Sequence, residues 1–175
     1  MDEFKRVGAG EVVATGSAIL LLAFMFFRWY GISVESSRLV YLSLFDDGGN
    51  TWQMLDMLPV FLVLVIAVTI GAAVLRLSGL GWRPRVPLGG VVYTLGGVAA
   101  LAILIRIVFP PGLGGTFKEF ESEGYRFEVI PELGIFLALV ATCGIAYGGY
   151  RAMREEGVSV ASFFRAVRLP RKKIQ

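Results

Sequence analysis

Histidine is absent from this sequence, and cysteine occurs once, at Cys143. Without histidine the chain lacks the commonest metal ligand and the commonest proton-transfer group at neutral pH. A single cysteine excludes an internal disulfide, so any loop must hold its shape without a covalent staple. Charge is also scarce: Asp, Glu, Lys and Arg make up 18% of the 175 residues, against about a quarter in soluble domains. No segment pairs a nucleophile with a base, cradles a phosphate after a strand, or spaces acidic groups as metal ligands. These absences argue against an enzyme and against a bound cofactor or metal.

What is present is apolar. Hydrophobic residues are 55% of the chain, and its mean hydropathy is +0.68. A helix needs about 20 mostly apolar residues to cross roughly 30 Å of hydrocarbon. Four stretches qualify, at about 11–30, 57–76, 89–109 and 132–151. Residues 1–157 then form one membrane domain and 158–175 a basic amphipathic tail, with too little left over for a second soluble core. The expected fold is an all-α membrane protein. Its four transmembrane helices would form an up-down antiparallel bundle, with a small β-hairpin or sheet in the outer loops.

Each span has its own markers. The first follows Lys5 and Arg6, as a signal peptide would, but it ends in Arg28-Trp29-Tyr30 with no small-x-small cleavage site. It is therefore read as an uncleaved span closed by interfacial aromatics. The second carries Pro59 in its first turn, where a missing N–H costs little. The fourth runs into Gly157, a helix stop. Between spans, Arg38–Phe45 is rich in β-formers, Asp46–Asn50 signals a turn, and Tyr125–Val129 alternates apolar with charged residues. A small sheet joining 39–45 to 125–129 follows from that pattern.

Orientation comes from the cations. Lys5, Arg6, Arg76, Arg83, Arg85, Arg151, Arg154, Arg165, Arg168, Arg171, Lys172 and Lys173 share the face of the two termini. The other face has Arg28, Arg38, Arg106, Lys118 and Arg126. Both termini are expected in the cytoplasm, in a multi-pass protein of the cytoplasmic membrane.

Three constellations stand out. Small residues recur four apart as Gly96-x-x-x-Ala100, beside Gly97, and as Gly134-x-x-x-Ala138 and Gly144-x-x-x-Gly148. Such spacing places them on one helix face and permits close backbone approach, either within one bundle or between copies in a homo-oligomer. Arg28, Asp56, Arg106 and Glu132 fall at the outer ends of the spans, two of each sign, and are expected to clasp the helix ends as an ion-pair cluster. At the inner end, Glu11 is placed to pair with Arg76 or Arg151. In the tail, Phe163 and Phe164 with Arg165, Arg168, Arg171, Lys172 and Lys173 make an interfacial helix suited to anionic headgroups. A generic topology anchor is the plainer reading of the same tail. Nucleic acid is a poor fit, because the cations have no folded scaffold.

The run Ile145-Ala-Tyr-Gly-Gly-Tyr-Arg-Ala-Met-Arg-Glu-Glu-Gly157, with Arg28-Trp29-Tyr30 and Trp52 as aromatic landmarks, resembles small four-span membrane proteins of actinobacteria. The resemblance implies architecture over the spans and no assigned activity. The expected function is that of a non-enzymatic structural or accessory membrane protein, whose partners are lipids, a second copy or another membrane protein. A small oligomeric channel or transporter is the alternative. It is weakened by the lack of any charge at mid-span.

Overall fold

A computed structural model describes residues 8–35, 49–54, 57–78, 87–110 and 126–168. In chain order the elements are α1 (Ala9–Phe24), β1 (Arg28–Glu35), β2 (Gly49–Asn50), α2 (Thr51–Met54), α3 (Leu58–Leu77), α4 (Leu88–Val108), β3 (Arg126–Pro131), α5 (Leu133–Glu155) and α6 (Val160–Arg168). The chain is mostly helical. Helices α3, α4 and α5, of 20, 21 and 23 residues, are long and apolar enough to cross a membrane.

Helix α5 organises the packing, with α1 on one flank and α4 on the other, while α3 completes the group against α1 and α4. The starts of α1 and α4 lie beside the end of α5. A Cβ on Gly10 would meet the Gly148 carbonyl oxygen at 2.7 Å, and one on Gly89 would meet the Met153 nitrogen at 2.7 Å. Gly148 and Gly149, adjacent in sequence, point to different neighbours: the first abuts Ala14 and Gly10 of α1, the second Tyr93 and Gly89 of α4. A pair of glycines thus lets one helix accept two others at backbone contact distance. Leu21, Leu62, Val65, Ile103, Ile135 and Ile145 fill the space between the helices and are fully buried.

The first span differs from expectation. Helix α1 has 16 residues, about 24 Å at 1.5 Å per residue, and Arg28-Trp29-Tyr30 belongs to a strand. The end is set locally. Phe26 and Phe27 donate to the carbonyls of Ala23 and Phe24 at 3.2 Å, tightening the last turn. The Trp29 indole N–H then donates to the Phe24 carbonyl at 2.9 Å, the acceptor that a continuing helix would have offered to the backbone N–H of Arg28. Trp29 and Tyr30 are fully buried instead of lying at an interface. Strand backbone next to apolar helices is tolerated because its polar groups are paired, here with the strand Arg126–Pro131.

The sheet has strand order β2-β1-β3. β1 pairs antiparallel with β3 from Tyr30↔Pro131 to Glu35↔Arg126, and with β2 only at Arg28↔Asn50 and Tyr30↔Gly49. β3 coincides with the alternating segment 125–129. Its partner is β1, while the anticipated strand 39–45 lies outside the described residues. Glu132 extends the ladder by donating its N–H to the Trp29 carbonyl at 2.8 Å. The sheet is thereby fixed to the start of α5.

Candidate functional site

The polar residues gather at the opposite end, where α1 begins and α5 ends. Glu11 lies in the first turn of α1, where the helix dipole favours an anion, and is 7% exposed. Arg76, in the last turn of α3, places one guanidinium nitrogen on Glu11 Oε1 and the other on Glu156 Oε1. Glu156 is the C-cap of α5, a position where the helix dipole opposes a carboxylate, so the shared arginine offsets that field. Neither Glu11 oxygen makes an aligned hydrogen bond. The contact with Arg76 is an ion pair.

Glu155 supplies a second tie. Gly8, the N-cap of α1, has no side chain to accept the helix's first N–H groups. Glu155 Oε1 accepts from the Gly10 N–H at 3.3 Å instead, and lies 3.5 Å from Arg151 Nε. A residue at the end of α5 thus caps the start of α1. Together Glu11, Arg76, Glu155 and Glu156 form a clasp on α1, α3 and α5.

A cavity of about 20 Å³ lies beside Glu11 and Arg76, lined also by Thr15, Thr69, Gly89 and Gly149. That volume is room for roughly one water. The Thr69 hydroxyl donates to its own helix at the Val65 carbonyl, 2.7 Å away. Val65 and Leu62, farther along α3, are fully buried in the apolar core.

The tail helix is built onto this end. Helix α5 stops in a Schellman arrangement: Gly157 has φ +73, its N–H donates to Arg154 at 3.0 Å, and that of Val158 donates to Met153 at 3.1 Å. Ser159 and Ser162 then open α6 with reciprocal bonds, each hydroxyl accepting the other's N–H at 3.2 and 3.1 Å. Phe163 is buried, its ring filling the space that a side chain on Gly90 would occupy. Phe164 and Arg165 remain exposed.

The sequence-predicted residues divide accordingly. Of the expected four-membered cluster, Arg28 and Glu132 meet at 3.8 Å. Arg106 is exposed on α4, its backbone carbonyl accepting the Tyr30 hydroxyl at 3.0 Å. Asp56 lies outside the described residues. Among the small residues, Gly96 abuts Ala146, Gly134 abuts the Arg28 carbonyl, Gly144 faces Ser17, Gly148 faces Ala14, and Ala138 is fully buried. Gly97 faces open space, and Ala100 is half-buried. In the tail, Phe163 packs on protein, Arg168 ends α6, and Arg171, Lys172 and Lys173 lie outside the described residues.

Sequence reasoning reached Glu11 with Arg76 but missed Glu155 and Glu156. Their adjacency just before Gly157 is the signal that was present. No family model matches this chain, and comparison with curated proteins and with solved structures gives no match.

Proposed function

We propose that the protein is a non-enzymatic accessory protein of the cytoplasmic membrane, which engages anionic lipid through its C-terminal helix. In this reading the chain crosses the membrane four times as an up-down bundle with both termini in the cytoplasm. The short helix α1 completes its crossing through the segment Met25–Tyr30, in which Met25, Trp29 and Tyr30 are buried. The observation that carries the reading is the presentation of α6. Phe163 fixes the helix against Gly90, so that Phe164 and Arg165 stand exposed at the end of the bundle. An aromatic for the acyl boundary and cations for headgroups suit an anionic membrane surface. The charges at this end support the same reading, since Glu11, Arg76 and Glu156 are engaged with one another.

The second reading, an oligomeric channel, draws support from the cavity beside Glu11. Against it, the buried side chains of Leu62, Val65, Ile103 and Ile135 occupy the bundle interior. Purified protein in sealed liposomes decides between the two. The accessory reading requires no ion or solute flux above protein-free vesicles. Sustained flux that scales with protein content would replace it with the channel.

A further inference from the structure

We propose that the cavity beside Glu11 is a binding site for a single water molecule, which the Glu11 carboxylate holds where α1, α3, α4 and α5 meet. Its walls come from Glu11 and Thr15 of α1, Thr69 and Arg76 of α3, Gly89 of α4 and Gly149 of α5. Two independent observations point to an occupant. The first is the state of the carboxylate. The Glu11 side chain is 8% exposed, and neither of its oxygens has an aligned hydrogen-bond donor among the described residues. Arg76 reaches Oε1 and divides its charge with Glu156. A carboxylate offers about four acceptor sites, and burying them without donors is destabilising. The second is size. The cavity measures about 20 Å³, against the ~10–15 Å³ that one water needs.

The walls also select the occupant. A buried water needs about two to four polar partners. Glu11 accepts one of its hydrogens. Thr15 lies four residues on, the neighbouring position of the same helix face. Thr69 gives its own hydrogen to the Val65 carbonyl at 2.7 Å, so toward the cavity its oxygen can only accept. A cation is a poor fit, because Arg76 lines the same space and repels it. An apolar group is a poor fit, because it leaves the carboxylate oxygens without donors. The site also has a structural role. Helices α1 and α4 meet α5 through glycines, whereas a Cβ on Gly71 of α3 would meet nothing within 4 Å. The water is a hydrogen-bonded bridge at the α1–α3 contact, beside the Glu11–Arg76 pair. It belongs to the packing of the bundle and holds whatever the function of the protein.

The test is water-edited solid-state NMR of the isotope-labelled full chain in lipid bilayers, with magnetisation started on water protons and read at the Glu11 carboxyl carbon. Glu11 is expected to receive it several-fold faster than Leu62 and Val65, which are fully buried in the apolar core. Ala72→Val adds two methyl groups to the cavity wall and is expected to slow transfer to Glu11 several-fold. Unchanged Leu62 and Val65 resonances establish that the variant is folded, and Ala73→Val on the same wall replaces it if they shift. Transfer to Glu11 as slow as to Leu62 in the unsubstituted protein overturns the site. So does fast transfer that a folded wall variant leaves undiminished, because the water then comes from bulk solvent. The melting temperature is expected to be equal in sodium and choline chloride at one ionic strength. A rise specific to sodium would replace the water with a cation.

Discussion

Gly10 and Gly148 face each other across the α1–α5 contact so closely that a Cβ on either would lie 2.7 Å from the other's carbonyl oxygen. The neighbours at this crossing are backbone atoms of two helices, which cannot step aside as a flexible side chain can. Gly148→Ala is expected to destabilise the protein by at least about 1–3 kcal/mol, the usual cost of overpacking. Gly97→Ala meets nothing within 4 Å and gains helix propensity, so it is expected to be neutral or stabilising by about 0.5–1 kcal/mol. Unfolding in mixed detergent micelles compares the two. Equal effects would mean that Gly97 also lies at a close contact, such as one between copies.

The clasp predicts strong non-additivity. Arg76→Gln strips the buried Glu11 carboxylate of its counter-charge, and breaking such a pair costs about 3–5 kcal/mol. Glu11→Gln leaves Arg76 with Glu156 and is expected to cost much less. The double variant Glu11→Gln, Arg76→Gln should therefore be more stable than Arg76→Gln alone. A double-variant cycle on melting in detergent measures the coupling. Additive losses would show that the pair is not energetically joined.

Two aromatic hydrogen bonds secure the opposite end. Trp29 donates to the Phe24 carbonyl at 2.9 Å and Tyr30 to the Arg106 carbonyl at 3.0 Å. The indole is a second donor to a carbonyl that already accepts the Phe27 N–H, whereas Tyr30 satisfies a carbonyl whose helical partner would be Pro110, which has no N–H. Trp29→Phe and Tyr30→Phe keep a ring and lose the donor; the expected cost is about 1–3 kcal/mol for Tyr30→Phe, which leaves a carbonyl unsatisfied, and about 0.5–1.5 kcal/mol for Trp29→Phe, which loses one of two bonds to its acceptor. Chemical unfolding checks this. A loss below a few tenths of a kcal/mol for Tyr30→Phe would indicate that water reaches the Arg106 carbonyl.

The proposed threading is tested by labelling single cysteines in a Cys143→Ser background with a membrane-impermeant maleimide. Trp52→Cys is expected to react in intact cells. Ser78→Cys and Ser159→Cys should react only in inverted vesicles or after permeabilisation. The reverse pattern would invert the topology, and a mixed one would remove a crossing.

How far these relationships could be read from the chain depends on their range. The small residues were legible because a spacing of four places them on one helix face whatever the partner; which of Gly96 and Gly97 would be covered was not, since that depends on the rotation of α4. Pairing of Glu11 with Arg76 was accessible because both charges end apolar runs on the same side. Glu156 was not, because an acidic residue after a span reads as a solvated helix end until α3 is brought beside it. The end of α1 was misplaced for a physical reason: Arg-Trp-Tyr after an apolar run has the composition of an interfacial belt, whereas here the indole turns back to satisfy Phe24. The alternation in 125–129 revealed a strand, but its pairing with Arg28–Glu35 is a contact nearly a hundred residues distant in the chain, and the alternation of Ile32-Ser-Val-Glu35 is too short to announce it beside a long apolar run. In the tail, the helical face was visible while its division was not. Only the missing side chain of Gly90 decides that Phe163 goes inward and Phe164 outward.

The most direct measurement is the lipid retained by the protein when it is released from nanodiscs of mixed zwitterionic and anionic lipid into a native mass spectrometer. The account predicts that anionic lipid is enriched on the unsubstituted chain, and that Phe164→Ser, Arg165→Gln, Arg168→Gln protein loses that enrichment several-fold while remaining folded. Equal retention of the two lipid classes by both proteins would contradict it.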